Sequence, residues 1–176
     1  MRYPVRHTVS LVIMNIFYVD DDPVISAVQL CNKHIVKMPL ETAQILSTAH
    51  RHLDGDDYAD NHGLYKVAHL NHPSTVWARS SKQHYEWLIA HFEALLDEKL
   101  RRYTKKPPHK SGELLDALRK VPDNMPDAGF SPPPQCMPDE YKDKSTTKAY
   151  RKYYCGAKAY MAQWKWPAIR PEWYKI

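Results

Sequence analysis

The sequence predicts a mainly α-helical, single compact domain, and three observations carry that expectation. Apolar residues recur at three-and-four spacing through most of the 176-residue chain, the period of a helix with one buried face. The 5 glycines stand apart, so no G-x-G-x-x-G turn or phosphate-cradling loop is present and the usual nucleotide folds lose their sequence support. A hydrophobic content of 43% over this length fills one core and is short of two. The expected organisation is an N-terminal extension at residues 1–13, with Met14 an alternative start, and one helical domain over residues 14–176. Within it, residues 121–138 form a Pro-rich connection and residues 141–176 a basic, aromatic segment.

The elements follow in order. Val9 to Val19 is an apolar run broken by Ser10 and Asn15 and followed by Asp20, Asp21 and Asp22. It is too short to span a bilayer and lacks a small-residue cleavage site, so it reads as a buried strand or extended segment. Asp22-Pro23 opens a helix whose apolar positions Val24, Ala27, Val28, Cys31 and Ile35 keep helical spacing. Pro39 then kinks it or opens a second helix carrying Leu40, Ala43, Ile45, Leu46 and Ala49. Residues 54–63 read as an acidic loop. A short turn follows Pro73, with Val76 and Trp77 inward. The strongest helix runs from Ser81 to Tyr103 on the stripe Tyr85, Leu88, Phe92, Leu95, Leu96 and Leu100. Ser111 caps a short helix bearing Leu114, Leu115 and Leu118. Six prolines between Val121 and Pro138 make an extended connection. Ser145 to Gln163 forms the last helix, with Tyr150, Tyr153, Tyr154, Ala157 and Tyr160, and the terminal segment folds back across the domain.

Charge is unevenly placed. The net +5 divides into −3 over residues 1–60, +1 over 61–140 and +7 over 141–176, and this last fifth also holds nine of the Tyr and Trp residues. Clustered cations attract phosphates and release their counterions, which suggests a nucleic-acid surface; a solvated basic face is the plainer alternative. Cys31, Cys136 and Cys155 are odd in number and form no C-x-x-C pair, which fits a reducing cytoplasm.

Three clusters carry candidate chemistry. His34, Lys37 and Glu41 fall at i, i+3 and i+7, one polar stripe where a carboxylate beside an amine and an imidazole can run acid–base or imine chemistry. A solvated Lys37–Glu41 pair is the structural alternative. His69, Asn71, His72 and Arg79, with Trp77 among them, could hold a phosphate or a base edge. They lack zinc-ligand spacing; His50 and His52 beside Asp54 are the next best ligands, and no metal site is expected. Tyr150, Arg151, Lys152, Tyr153 and Lys158 interleave rings and cations, as nucleic-acid binding wants, or they line the inner face of the last helix. Lys110, with Lys105, Lys106 and His109, adds a second basic patch.

Together these clusters resemble the endonuclease V-type pyrimidine-dimer DNA glycosylases and related uncharacterised, mostly viral proteins. His34 and Glu41 keep the family's seven-residue separation on the first long helix, with Pro39 between them. His72 and Trp77 precede the central helix, and Tyr150 to Ala159 is similar to the family's aromatic, lysine-bearing C-terminal run. The resemblance covers most of Met14 to Tyr160. It implies the family's helical fold and a DNA glycosylase/AP-lyase-like activity on damaged or modified pyrimidines. Its partner is double-stranded DNA, with no cofactor and no membrane. A monomer is expected, and a viral origin would place it in the host cytoplasm. Leu40 and Gln44 stand where the family carries arginines. The family's α-amine nucleophile would here follow Met1 or Met14, which leaves Lys37 or the terminal amine to attack C1′ while Glu41 stabilises the developing charge. Two alternatives stay open. One is a transferase that adds an amine or amino acid to an activated 5-hydroxymethyl pyrimidine, with His69, His72 and Arg79 at the leaving group. The other is a non-catalytic DNA-binding protein.

Overall fold

A computed structural model describes residues 14–176; the expected extension at 1–13, with the start of the apolar run, lies outside the described residues. The architecture is helical, with no strand among the described residues. Residues 14–19 are buried without regular secondary structure and turn at Phe17, where the sequence allowed a buried strand or extended segment. Asp22 then starts α1 (Pro23–Val28), its carboxylate accepting the Val24 and Ile25 N–H groups at 2.8 and 2.9 Å.

α1 stops at Val28 and does not run on to Ile35. Tertiary partners replace helical bonds at the break. The Gln29 carbonyl accepts the Trp164 indole N–H at 3.0 Å, and the Cys31 N–H donates to the Tyr154 hydroxyl at 3.3 Å. α2 (Asn32–Asp54) instead passes straight through Pro39. Proline has no N–H to give the Ile35 carbonyl, so one rung is missing two residues before Glu41. Gly55, at φ +81°, ends the helix in a conformation that glycine adopts without strain.

The acidic stretch expected as a loop is largely α3 (Asp56–Asn61). Asp56 and Asp57 suit the positive end of a helix, and Arg51 clamps the turn through Asp56 at 2.7 Å and Asp60 at 2.8 Å. α4 (Pro73–Ala78) buries Trp77 but leaves Val76 outward. α5 (Lys82–Arg102) buries the predicted stripe except for Leu100, which is exposed. A 3-10 turn (Lys110–Leu114) and α6 (Leu115–Leu118) follow. The cap there is His109, whose Nδ1 accepts the Ser111 N–H at 3.1 Å, and not Ser111 itself. α7 (Thr146–Cys155) starts on Ser145 as expected and ends at Gly156, well short of Gln163.

The core forms where α5 packs on α1 and α2. Arg102 fixes the α1–α2 junction from α5. It pairs with Glu98, donates to the Val28 and Leu30 carbonyls and to Asn32 Oδ1, and both charged side chains are at most 3% exposed. The Pro-rich connection is fastened along the start of α5. Lys82 N–H donates to the Pro126 carbonyl at 2.7 Å, Ala128 N–H to Ser81 Oγ at 3.2 Å, and the Trp77 indole to the Ser131 carbonyl at 2.8 Å. Those bonds aim its far end, at Cys136, into the N-terminal segment.

Candidate active site on the first turns of α2

The i, i+3, i+7 spacing places His34, Lys37 and Glu41 on one face of α2, and the rest of the chain closes around that face. Glu41 is 6% exposed, yet its carboxylate has two partners: Lys37 Nζ lies 3.0 Å from Oε1, and the backbone N–H of Asn15 donates to Oε2 at 3.3 Å. Lys37 itself reaches solvent, its side chain 61% exposed. The site therefore couples a buried carboxylate to an amine that a macromolecular substrate can reach.

Asn15 is held from three sides. Its side-chain carbonyl accepts the Ile16 and Phe17 N–H groups at 2.8 and 3.0 Å, and its amide donates to the Cys136 carbonyl at 2.9 Å. Phe17 takes the left-handed conformation at φ +56°, which costs a bulky residue on the order of 1–3 kcal/mol. The turn lays its ring on His34 with centroids 4.0 Å apart and beside Tyr153 at 6.2 Å. Lys158 stands over the Tyr153 ring at 5.1 Å and the Phe17 ring at 6.0 Å.

His34 is shut in by these neighbours and hydrogen-bonded through Nδ1 to the Tyr154 hydroxyl. Burial pushes its pKa down to about 3, with the Lys158 and Lys37 charges acting the same way. It is thus neutral at pH 7 and orients its surroundings; it is no reservoir of protons. His72 lies toward Glu41 from α4. Burial and His69 lower its pKa while Glu41 opposes them, and its Nδ1 accepts the Ser74 N–H at 3.2 Å, so a neutral ring carries its proton on Nε2.

The remaining sequence candidates divide. His69 and Asn71 are exposed on the loop before α4, His69 at φ +48°, and Arg79 braces that loop by donating to the Leu70 carbonyl at 2.6 Å. Tyr150 is fully buried, its hydroxyl donating to the Pro134 carbonyl at 2.9 Å and accepting the Cys136 N–H at 3.2 Å, so its ring has no face for a base. Tyr153 is nearly as enclosed. Arg151 donates to the Val19 carbonyl and pairs with Asp20 at 3.2 Å, and Lys152 pairs with Asp143 at 2.5 Å. Lys110 is exposed on the 3-10 turn, apart from the α2 stripe in the chain. The sequence reading did not single out Asn15, Phe17 or Tyr154 as site residues. A polar residue inside an apolar run was the one signal that pointed to Asn15. No group of three metal-ligating side chains is found among the described residues, and none of their helices is long and apolar enough to cross a membrane.

Compared with family models, residues 14–111 match the pyrimidine dimer DNA glycosylases. The chain belongs to that family. The matched stretch begins one residue before Asn15 and contains His34, Lys37, Glu41 and His72; α7, Lys158 and the tail lie beyond it. No curated protein and no solved structure matches the chain. Membership in the pyrimidine dimer DNA glycosylases gives a DNA-acting, glycosylase-like function at the level of the family.

Proposed function

We propose that this protein is a DNA glycosylase/AP lyase acting on damaged or modified pyrimidines, with Lys37 as its amine and Glu41 as its carboxylate. The observation that carries the reading is the buried Glu41 carboxylate with Lys37 Nζ 3.0 Å from one of its oxygens. Glu41 Oε1 takes a proton from the Lys37 ammonium. The freed amine attacks the sugar C1′, and the C1′–N bond breaks with its electron pair leaving on the base, which is then protonated. The base takes its proton from the C1′-bound nitrogen, and Glu41 returns the proton it holds to the ring oxygen as the C1′–O4′ bond breaks, which gives an iminium whose positive charge the regenerated carboxylate stabilises. Proton loss from C2′ and β-elimination of the 3′-phosphate follow, and water releases the lysine. His72 is close enough to feel the Glu41 charge, and Lys158 stands over the Phe17 and Tyr153 rings beside His34, a cation available to a DNA phosphate.

The backbone nitrogen of Asn15 supports a second reading of the nucleophile. It lies 3.3 Å from Glu41 Oε2, and in the full chain it is an amide acylated by Met14, without a nucleophilic lone pair. A polypeptide trimmed to begin at Asn15 would offer an α-amine at the same carboxylate. Borohydride trapping on abasic and pyrimidine-damaged duplexes separates these, with peptide mapping of the adduct. An adduct on Lys37, lost in Lys37→Ala, supports the first reading. An adduct that survives Lys37→Ala and maps to Asn15 transfers the role to the α-amine. No adduct with the wild-type protein overturns the lyase, and a gain of base mass in treated DNA would point to the transferase.

A further inference from the structure

A groove beside this site takes no part in the chemistry above. It has a volume of about 730 Å³ and opens between the first turn of α2, the end of α5 and the tail after α7. Lys33 and Lys165 are exposed on its walls, and none of its lining residues is a carboxylate. Two rings stand bare at its mouth, Tyr160 at 82% exposure and Trp166 at 89%. The contrast with the other tail tryptophans is sharp. Trp164 and Trp173 both spend their indole N–H groups on Gln29, at 3.0 and 2.8 Å, and pack against Tyr154. Trp166 makes no such bond among the described residues.

The tail is not loosely placed. Asn32 N–H donates to the Gln163 carbonyl at 2.9 Å, and Arg101 donates to the Pro167 carbonyl at 3.1 Å, so the stretch carrying both bare rings is pinned at two points to the helices that form the opposite walls. A fixed, cation-walled groove with unpartnered aromatic faces suits a strand whose bases can stack and whose phosphates need neutralising. Lys33 and Lys37 are one helical turn apart on α2, about 6 Å along the axis, which is close to the reach between neighbouring nucleotides. The helical wall of the groove, from Asn32 to Tyr103, lies within the matched family segment, and its tail wall, from Tyr160 to Trp166, lies beyond it.

The geometry points to a single-strand subsite: the groove binds an unstacked nucleotide of DNA flanking the reacting one, with its base on Trp166 and Tyr160 and its phosphates between Lys33 and Lys165. This rests on the reading of the protein as DNA-acting and assigns to the tail the handling of a locally opened strand. The test uses the full chain and a short single strand of oligothymidylate carrying one central 2-aminopurine. The wild-type protein quenches the 2-aminopurine emission as the base stacks. Trp166→Ala weakens single-strand binding by about 5- to 150-fold and abolishes the quench, and Tyr160→Ala has a smaller effect of the same sign. Lys33→Ala with Lys165→Ala lowers the log–log salt slope by about 1.4, two single-strand phosphate contacts. Both rings are exposed, so the urea midpoint of each variant stays at the wild-type value. Binding or quenching that is unchanged in Trp166→Ala overturns the subsite, as does a wild-type protein that ignores the single strand. Failure of the enzymatic reading looks different: no borohydride adduct forms while the Trp166 dependence of single-strand binding remains.

Discussion

α7 and the segment that follows it both interleave aromatic rings with cations, and they use them differently. In α7, Tyr150, Tyr153 and Tyr154 are buried, and Arg151 and Lys152 are paired with Asp20 and Asp143. After Gly156, Lys158, Lys165, Tyr160 and Trp166 keep their charges or ring faces available. Interleaved rings and cations are therefore an ambiguous sign. In a regular helix the same residues that could hold DNA are drawn into the core by their spacing. Past the helix end that spacing no longer applies: Trp164, Trp173 and Tyr174 still pack inward, while Tyr160, Lys165 and Trp166 stay exposed.

The sharpest way to break this comparison is to cut into the enclosed half. Tyr150→Ala is expected to destabilise the fold by about 3–5 kcal/mol in urea denaturation, because it empties a fully buried ring site and strands the Cys136 N–H. A Tyr150 that tolerates alanine would have to be counted with the open residues. Glu41→Gln tests the other side of the site. It keeps the shape and removes the charge, so base release and trapping should fall by about 100- to 1000-fold while duplex affinity stays within about twofold. A Glu41→Gln protein with wild-type activity would show that this carboxylate takes no part in the chemistry.

A third expectation concerns acid. The folded protein keeps His34 neutral to about pH 3, whereas the unfolded chain protonates it near 6.5. The unfolded state therefore binds more protons between those values, and stability must fall as pH drops through that window. His91, pushed down to about 4 by burial, acts in the same direction. The urea midpoint of the wild type should fall more between pH 7 and pH 5 than that of His34→Gln; equal losses would show that the ring is not enclosed in solution. The smallest effect is the most direct on the comparison. Lys158→Ala should reduce the salt slope of duplex binding by about one, and Arg151→Ala should leave that slope unchanged while lowering stability.

Much of this was legible in the sequence, for identifiable reasons. α5 announced itself because five of its six stripe residues are buried at regular spacing, and the start of α7 because Ser145 is a standard cap. The shared face of His34, Lys37 and Glu41 follows from helical geometry alone. What was hidden depends on contacts far apart in the chain. The break between α1 and α2 is made by Trp164 and Tyr154, more than 120 residues away, and no local propensity records it. Pro39 is the converse: a residue that ordinarily ends a helix sits inside one that tertiary packing holds together. The tail's division into anchors and bare rings is likewise a matter of which tryptophan meets Gln29.

The clamp on Asn15 also has a consequence in time. Asn15 emerges early in synthesis, but the Cys136 carbonyl that holds its side chain comes 121 residues later. At about 5–20 residues per second this is a delay of roughly 6–24 s. A nascent chain that has reached only Ser111 already contains Glu41, Lys37 and His72, but neither the clamp nor Lys158. Assembly of this cluster thus waits for the last third of the polypeptide, and a prematurely terminated product would carry Glu41 and Lys37 without the Cys136 bond that holds Asn15 beside them.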